Sequence, residues 1–392
     1  MKIAVVAQHA TPLTPRADGT PRPDDTGLSE LTRALARQGH RVTVYAQKHH
    51  PDVPDYAELS DGVHVEHITA GPVGKPGDAG LLARVPAFSK PLRARLQREQ
   101  PDVVHAIRWT SGLAALAAVQ GMDIPVVQSF SSLGVEERRD HAVTAQATER
   151  FRLEPAIGRS ADAVVAASSA VASDLTRLGV PRKLVRYVPC GVDTETFAPE
   201  GPAAERNGRP RLLTAADLTE RAPLETLLRA LTRIPDAELM VVGGPAKERL
   251  ARDTAYQGLA GLAGSLGLTD RVIFTGAMAR ESMPALLRSA DVVLSTCSYD
   301  PAGLTSLEAM ACGKPVVAPP TGGHVDAVVD GTTGILIPPG QPALLAHRIR
   351  QLLAHPMLME AYGVAAADRA QSRYSWDRIA TETVAVYDGA AA

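Results

Sequence analysis

Short apolar runs alternate with segments of helical period along most of the chain. Residues 2–7, KIAVVA, form a β-rich run, and GLSELTRALARQGH then places Leu28, Leu31 and Leu35 on one helical face before RVTVYA supplies a second strand. The same order recurs in DVVHAI at 102–107 followed by GLAALAAVQG, in IPVVQSF, and in ADAVVAASS followed by SAVASDLTRLG. Strand, helix and strand in repetition predict a parallel sheet with helices on both faces.

From about 189 to 210 the pattern gives way to Pro, Gly and polar residues, which read as a domain linker. The alternation restarts with RLLTAAD and continues through AELMVVGG, RVIFTG, DVVLSTC, KPVVAP and GILIPP, predicting a second parallel sheet. The tail after Gln341 is helical by period, with Pro356 as a break and with Trp376 and Tyr387 as anchors of the last helix. The reading is therefore α/β, with two doubly wound domains facing across a cleft: residues 1–195, rejoined by a helix at about 374–392, and residues 196–373. Ligands belong at the carboxyl ends of the strands, and residues 9–27 and 60–90 read as loops that set the acceptor.

Composition narrows the function. With 45% hydrophobic and 21% charged residues in 392, the chain has the make-up of a soluble globular protein. Lys plus Arg number 41 against 43 Asp plus Glu, and aromatics are 4%, so neither charge nor stacking surface points to nucleic acid or anionic lipid. Three cysteines at positions 190, 297 and 312 have no metal-ligand spacing and read as reduced thiols. The apolar run at the N-terminus is too short for a signal peptide or a membrane span, which gives a cytoplasmic expectation. No internal repeat period is present.

The chemistry concentrates in YDPAGLTSLEAMACGKPVVAPPTGG, residues 299–323. A strand precedes it, so residues 298–303 make a loop at a strand's carboxyl end and a helix follows. Thr305 or Ser306 is positioned to cap that helix, and the amides around Gly303, Leu304 and Thr305 are then free to meet an anion. Glu308 has two readings: the partner of Thr305 in a capping box, or a carboxylate that accepts from a vicinal diol such as ribose. Asp300 is either a turn residue or a ligand contact.

This run resembles the signature of glycosyltransferase family 4, the retaining GT-B enzymes, which reads Glu-Pro-Phe-Gly, three residues, Leu-Glu-Ala-Met-Ala. YVPCGVDTETFAPEG, ADAVVAASSAVASDL, PDVVHAIRWTSGLAAL and RVIFTGAMARESMPALLRSADVVLS resemble further segments of that family. The resemblance implies a GT-B fold and a nucleoside diphosphate sugar as donor substrate. It also implies no cofactor, no bound metal, and retention by front-face attack assisted by the leaving phosphate. Carried over by position, Asp300 lies near the donor sugar, Glu308 binds the ribose, and Ala302, Gly303, Leu304 and Thr305 meet sugar and diphosphate. Gly27, Arg221, Met278 and Asp217 fall at other donor-side positions. Ser131 takes a catalytic place, and His105, Arg108 and Trp109 form the acceptor wall.

Several positions depart from the family pattern. Asp217 and Ala222 stand where an Arg and a Lys neutralise the diphosphate, with Arg221 or Lys247 as stand-ins; at roughly 1.5 to 3 kcal/mol per charged hydrogen bond this is a large change. Gly27 replaces a Gly-Gly pair, Ser131 a His, Ile107 and Arg108 a His and an aromatic, and Asp300 a Glu. The leading expectation is hexosyl transfer to a small hydroxylated acceptor. The alternatives are an impaired GT-B homologue that binds and regulates, or a transferase whose donor carries fewer phosphates. A monomer and a homodimer both fit the sequence.

Overall fold

The structure is a computed structural model that describes residues 1–9, 23–49, 51–71, 78–135, 145–219, 221–295, 300 and 302–391. The described residues form two compact units. One runs from the N-terminus to Gly191 and is completed from Trp376 onward; the other is Val192–Ser375. The break falls between Gly191 and Val192 and the return at Trp376, a few residues from the expected 195 and about 374.

The first unit holds strands β1 (Lys2–Ala7), β2 (Arg41–Gln47), β3 (Tyr56–Ser60), β4 (Val63–Ile68), β5 (Val103–Ile107), β6 (Val126–Phe130), β7 (Ala163–Ala166) and β8 (Val185–Tyr187). Their order in the sheet is β3-β4-β2-β1-β5-β6-β7-β8, and β3 alone runs antiparallel to its neighbour. Central strands are buried on both faces, as their continuous Val, Ile and Ala content requires when helices cover both sides of a parallel sheet. The order turns around at β1, so β1 and β5 flank the switch point.

The second unit holds β9 (Arg211–Ala215), β10 (Glu238–Val242), β11 (Val272–Gly276), β12 (Val292–Leu294), β13 (Val316–Ala318) and β14 (Gly334–Leu336), all parallel, in the order β11-β10-β9-β12-β13-β14. Here the switch point lies between β9 and β12. In open α/β sheets that is where the loops diverge and leave room for a ligand.

Two expectations change. The stretch 189–210 is only in part a connection: Phe197 is fully buried in the second unit's core, and the Asp193 carboxylate accepts from the amides of Glu195 and Thr196. Of residues 60–90, positions 72–77 lie outside the described residues, and the rest are not simply loop. They contain β4 and the start of the helix Asp78–Glu99, which carries Pro86 and Pro91 and buries Val85, Phe88, Leu92 and Leu96 at three- to four-residue intervals. Packing of that stripe outweighs the two missing amide hydrogen bonds. Pro356 is the expected break in the helical tail: one helix ends at Leu353, and Pro356 opens the next, Pro356–Tyr374, where its fixed φ fits the first turn. Gly27 sits inside the helix Pro23–Arg37, and among the described residues a Cβ there would meet only Trp376 Cη2, at an ordinary 3.7 Å.

The last helix, Trp376–Ala391, packs into the first unit with Trp376, Ile379 and Tyr387 buried. The indole of Trp376 lies on Gly191: a Cβ at that position would stand 2.4 Å from Trp376 Cδ2, which explains the glycine. Among the described residues no helix is long and apolar enough to cross a membrane.

Candidate active site

The second unit's switch point collects three loops. After β9, Asp217 is exposed, and its Oδ1 accepts from both the amide and the hydroxyl of Thr219 at 2.9 Å. The carboxylate at the family's Arg position is thus the hinge of its own turn. Arg221 opens the following helix, Arg221–Leu231; its side chain, like that of Ala222, lies outside the described residues. Lys247 is exposed on the loop after β10, whose Gly243 is so close to Ala216 that a Cβ would stand 2.2 Å from its carbonyl oxygen.

After β12 comes the acidic stretch. Asp300 Oδ1 accepts from the amides of Gly303 at 2.8 Å and Ala302 at 3.2 Å, the side-chain turn that short carboxylates favour. Gly303 has a left-handed backbone, φ 63°, and is the N-cap of the helix Leu304–Ala311. Among the described residues no side chain caps that helix, and Thr305 and Ser306 lie inside it, which corrects their expected role. The Gly303 amide is also taken by Asp300. The amides of Leu304 and Thr305, by contrast, have no hydrogen-bond partner among the described residues. An uncapped first turn with aligned N–H groups is a place for an anion.

Ser306 Oγ instead lies 3.0 Å from Nδ1 of His324, whose Nε2 lies 3.1 Å from Ser295 Oγ at the end of β12. His324 is fully buried, and burial lowers its pKa, opposed by the charge of Asp300. It joins the end of β12, the start of the acidic helix and the turn after β13. That turn is pressed onto the acidic loop: Gly323 N donates to Asp300 O at 2.9 Å, and a Cβ on Gly322 would stand 2.3 Å from the same oxygen. Glycine is needed at 322 for that approach and for its φ of 54°.

Glu308 closes no capping box. It is 3% exposed, and its Oε1 meets Nη2 of Arg280 at 2.5 Å. Burial pushes its pKa up, Arg280 pulls it down, and Asp300 adds to the rise. Met278, after β11, is half-buried against the core of this unit.

In the first unit the acceptor-wall residues divide. His105 is buried, with Nδ1 2.7 Å from the Tyr387 hydroxyl and Nε2 2.6 Å from Ser129 Oγ, and burial lowers its pKa to about 4. Trp109 is buried in a cluster with Phe130, Leu133 and Ile157. Both are core residues here: His105 lies in the middle of β5, a strand buried on both faces, and Trp109 packs inward from the first turn of its helix. Arg108 is half-buried and has φ 70°, a left-handed backbone uncommon for a side chain of that size. Ser131 is half-buried directly after β6. The loop it opens is held by Glu154, which accepts from the Gly134 amide at 2.8 Å and from Arg150 Nε at 2.6 Å, while Arg150 donates to Ser132 O at 2.9 Å.

At this unit's switch point stand Gln8, to which sequence reasoning gave no role, and His9, first of the run 9–27 read as an acceptor loop, of which residues 10–22 lie outside the described residues. Gln8 N donates to Ser111 Oγ at 3.0 Å, and His9 Nε2 lies 2.6 Å from Thr110 Oγ1. Position after β1 was the available signal. In the second unit, Arg280 and His324 were likewise visible only as single letters within quoted runs.

Two doubly wound parallel-sheet units with open switch points define the GT-B class of fold. The pattern of Glycosyltransferase Family 4 matches residues 26–196, and that of Glycosyl transferases group 1 matches residues 200–369. A D-inositol 3-phosphate glycosyltransferase of Kineococcus radiotolerans is 32% identical over 98% of this chain and 94% of its own length. That of Xylanimonas cellulosilytica is 30% identical over 98% and 96%. Among solved structures, sucrose-phosphate synthase from Thermosynechococcus elongatus has a TM-score of 0.84 at 28% identity, covering 99% of this chain and 98% of that one. HepE of Anabaena, solved with UDP-glucose, has a TM-score of 0.72 at 20% identity over 98% and 99%, a likeness of fold. The chain belongs to glycosyltransferase family 4, and sugar transfer is the reaction for which its relatives are named.

Proposed function

We propose that this protein transfers a hexose-type sugar, with retention and without a bound metal or cofactor, from a nucleoside diphosphate sugar to a small hydroxylated acceptor. The observation that carries the reading is the pairing, on one short helix, of two amides at Leu304 and Thr305 that have no partner among the described residues with a buried carboxylate at Glu308. The amides and the helix dipole suit a diphosphate, and the carboxylate, one turn on, suits the ribose hydroxyls. As the bond from the anomeric carbon to the phosphate oxygen breaks, negative charge grows on the diphosphate, and fixed amides stabilise it without reorganising. Asp300, with Oδ1 committed to its own loop, presents Oδ2 toward the sugar; Met278 and the backbone from Ala302 to Thr305 complete the donor side. Arg108 and Ser131 are our candidates for acceptor contacts. Because relatives covering the whole chain are named for D-inositol 3-phosphate, a phosphorylated polyol is the first acceptor to assay.

Thermal-shift titration with UDP-, GDP-, ADP- and dTDP-sugars tests the donor claim, since a ligand of the native state raises its stability. One donor class should raise the melting temperature, and Glu308→Gln should abolish the rise. No response to any of the four sinks the proposal. Product anomeric configuration, read by NMR after incubation with inositol 3-phosphate, tests retention.

One feature favours a second reading, in which the chain binds a nucleotide and regulates without turnover. Asp217 places an anion, fixed by Thr219, where the family pattern has a cation. Binding without multiple turnovers, across donors and acceptors, would select that reading.

A further inference from the structure

We infer that Arg280 is a positioning residue of the donor site: it pins one oxygen of the Glu308 carboxylate and supplies its countercharge, so that Oε2 is the oxygen left for the nucleotide's ribose. The inference rests on the donor reading above. Its basis is geometric. Glu308 Oε1 is held by Arg280 Nη2, while Oε2 has no hydrogen-bond partner among the described residues. Arg280 is itself constrained, because it lies in the short turn Arg280–Ser282 after β11 with its guanidinium carbon 5.0 Å from the centroid of the Phe197 ring. Phe197 is fully buried, so the plate beneath the guanidinium is fixed. A planar cation on a rigid plate holds one oxygen in place and turns the other outward.

The charged and titratable groups that act on Glu308 are Arg280 and Asp300, with the Cys312 thiol also nearby; burial pushes that thiol up to about 12, so it stays neutral. Arg280 is the sole cation among those groups. Without it, burial and Asp300 both favour the protonated acid, which no longer offers ribose an ionised acceptor. A structural ion pair would affect folding alone. A positioning pair also sets the pH at which ribose is recognised.

The experiment compares a ribonucleoside diphosphate with its 2′,3′-dideoxy analogue, using whichever of ADP, GDP and UDP stabilises the wild type most, by calorimetry between pH 5.5 and 9. Wild type should prefer the ribonucleotide across the range. Arg280→Met and Arg280→Gln should lose that preference at neutral pH and regain it upward, with the midpoint displaced by about one pH unit or more, a tenfold effect in proton affinity. Their affinity for the dideoxy analogue should be unchanged, and Arg280→Lys should restore much of the preference. Neutral variants that titrate as wild type does, or that lose both ligands equally, overturn the role of Arg280. Wild type that fails to distinguish the two sugars overturns the ribose reading of Glu308, and this inference with it. If neither neutral variant folds, Arg280→Lys decides, since absence of ribonucleotide preference at every pH in a folded lysine variant overturns the countercharge.

Discussion

His105 stands between two hydroxyls in the middle of the first unit, and its chemistry is that of an uncharged ring. Complete burial lowers its pKa to about 4, against about 6.5 in an unfolded chain. Above 6.5 both states are neutral and the native contacts contribute fully. Between 6.5 and 4 the unfolded chain takes up a proton that the folded one refuses, so stability falls as the pH drops. Below 4 no further loss comes from this residue. At 1.36 kcal/mol per pH unit the interval corresponds to about 3 kcal/mol. His67 and His324, whose pKa values burial also lowers, act in the same sense. Urea midpoints followed by tryptophan fluorescence report on the first unit, because both tryptophans, Trp109 and Trp376, belong to it. The midpoint should fall between pH 7 and pH 4.5, and by less in His105→Gln, which does not titrate. An equal fall in both proteins would remove His105 from the account.

At the scale of elements, what the sequence disclosed depended on whether the governing contacts were local. The strands β1, β5, β10 and β13 are apolar runs bounded by turns, and their burial on both faces follows from that composition alone. The helix Asp78–Glu99 was hidden because its two prolines are local signals, whereas the stripe that overrides them is satisfied only by distant partners. The site divides in the same way. The acidic helix and its glycine entry are written in one contiguous stretch, while the partners of its carboxylate and its serine, Arg280 and His324, lie elsewhere in the chain. The returning helix Trp376–Ala391 is another non-local element. Its indole rests on Gly191, and Arg37 pairs with Asp377 at 2.7 Å on the surface. Exposed pairs of that kind contribute little, so the anchoring belongs to the indole. Trp376→Ala should destabilise the first unit by about 3 to 5 kcal/mol in chemical denaturation, whereas Asp377→Ala should change it by less than about 1 kcal/mol. Comparable losses in the two variants would show that charge, not packing, holds the helix.

For the whole molecule, the order of the chain makes the two units unequal. Every member of the second unit's hydrophobic clusters lies between Val192 and Tyr374, an unbroken stretch of sequence. The first unit's cluster around β1 and β2 also needs Trp376, Ile379, Ala380, Val386 and Tyr387, which arrive only after the second unit has been traversed. His105 depends on the same return, since one of its two partners is the Tyr387 hydroxyl. A compact body with its own core and a contiguous chain has what independent folding requires. Residues 192–375 expressed alone should therefore fold, with a cooperative thermal transition and dispersed amide resonances, and should keep whatever nucleoside diphosphate affinity the acidic helix confers. Residues 1–191 alone should not, because the missing helix strips one side of the sheet and leaves His105 with an unpaired nitrogen in an apolar interior. Joining 376–392 to that fragment through a flexible glycine-serine linker should recover a folded first unit. A well-folded 1–191 fragment would show that the terminal helix is an accessory to this sheet and not a part of its core.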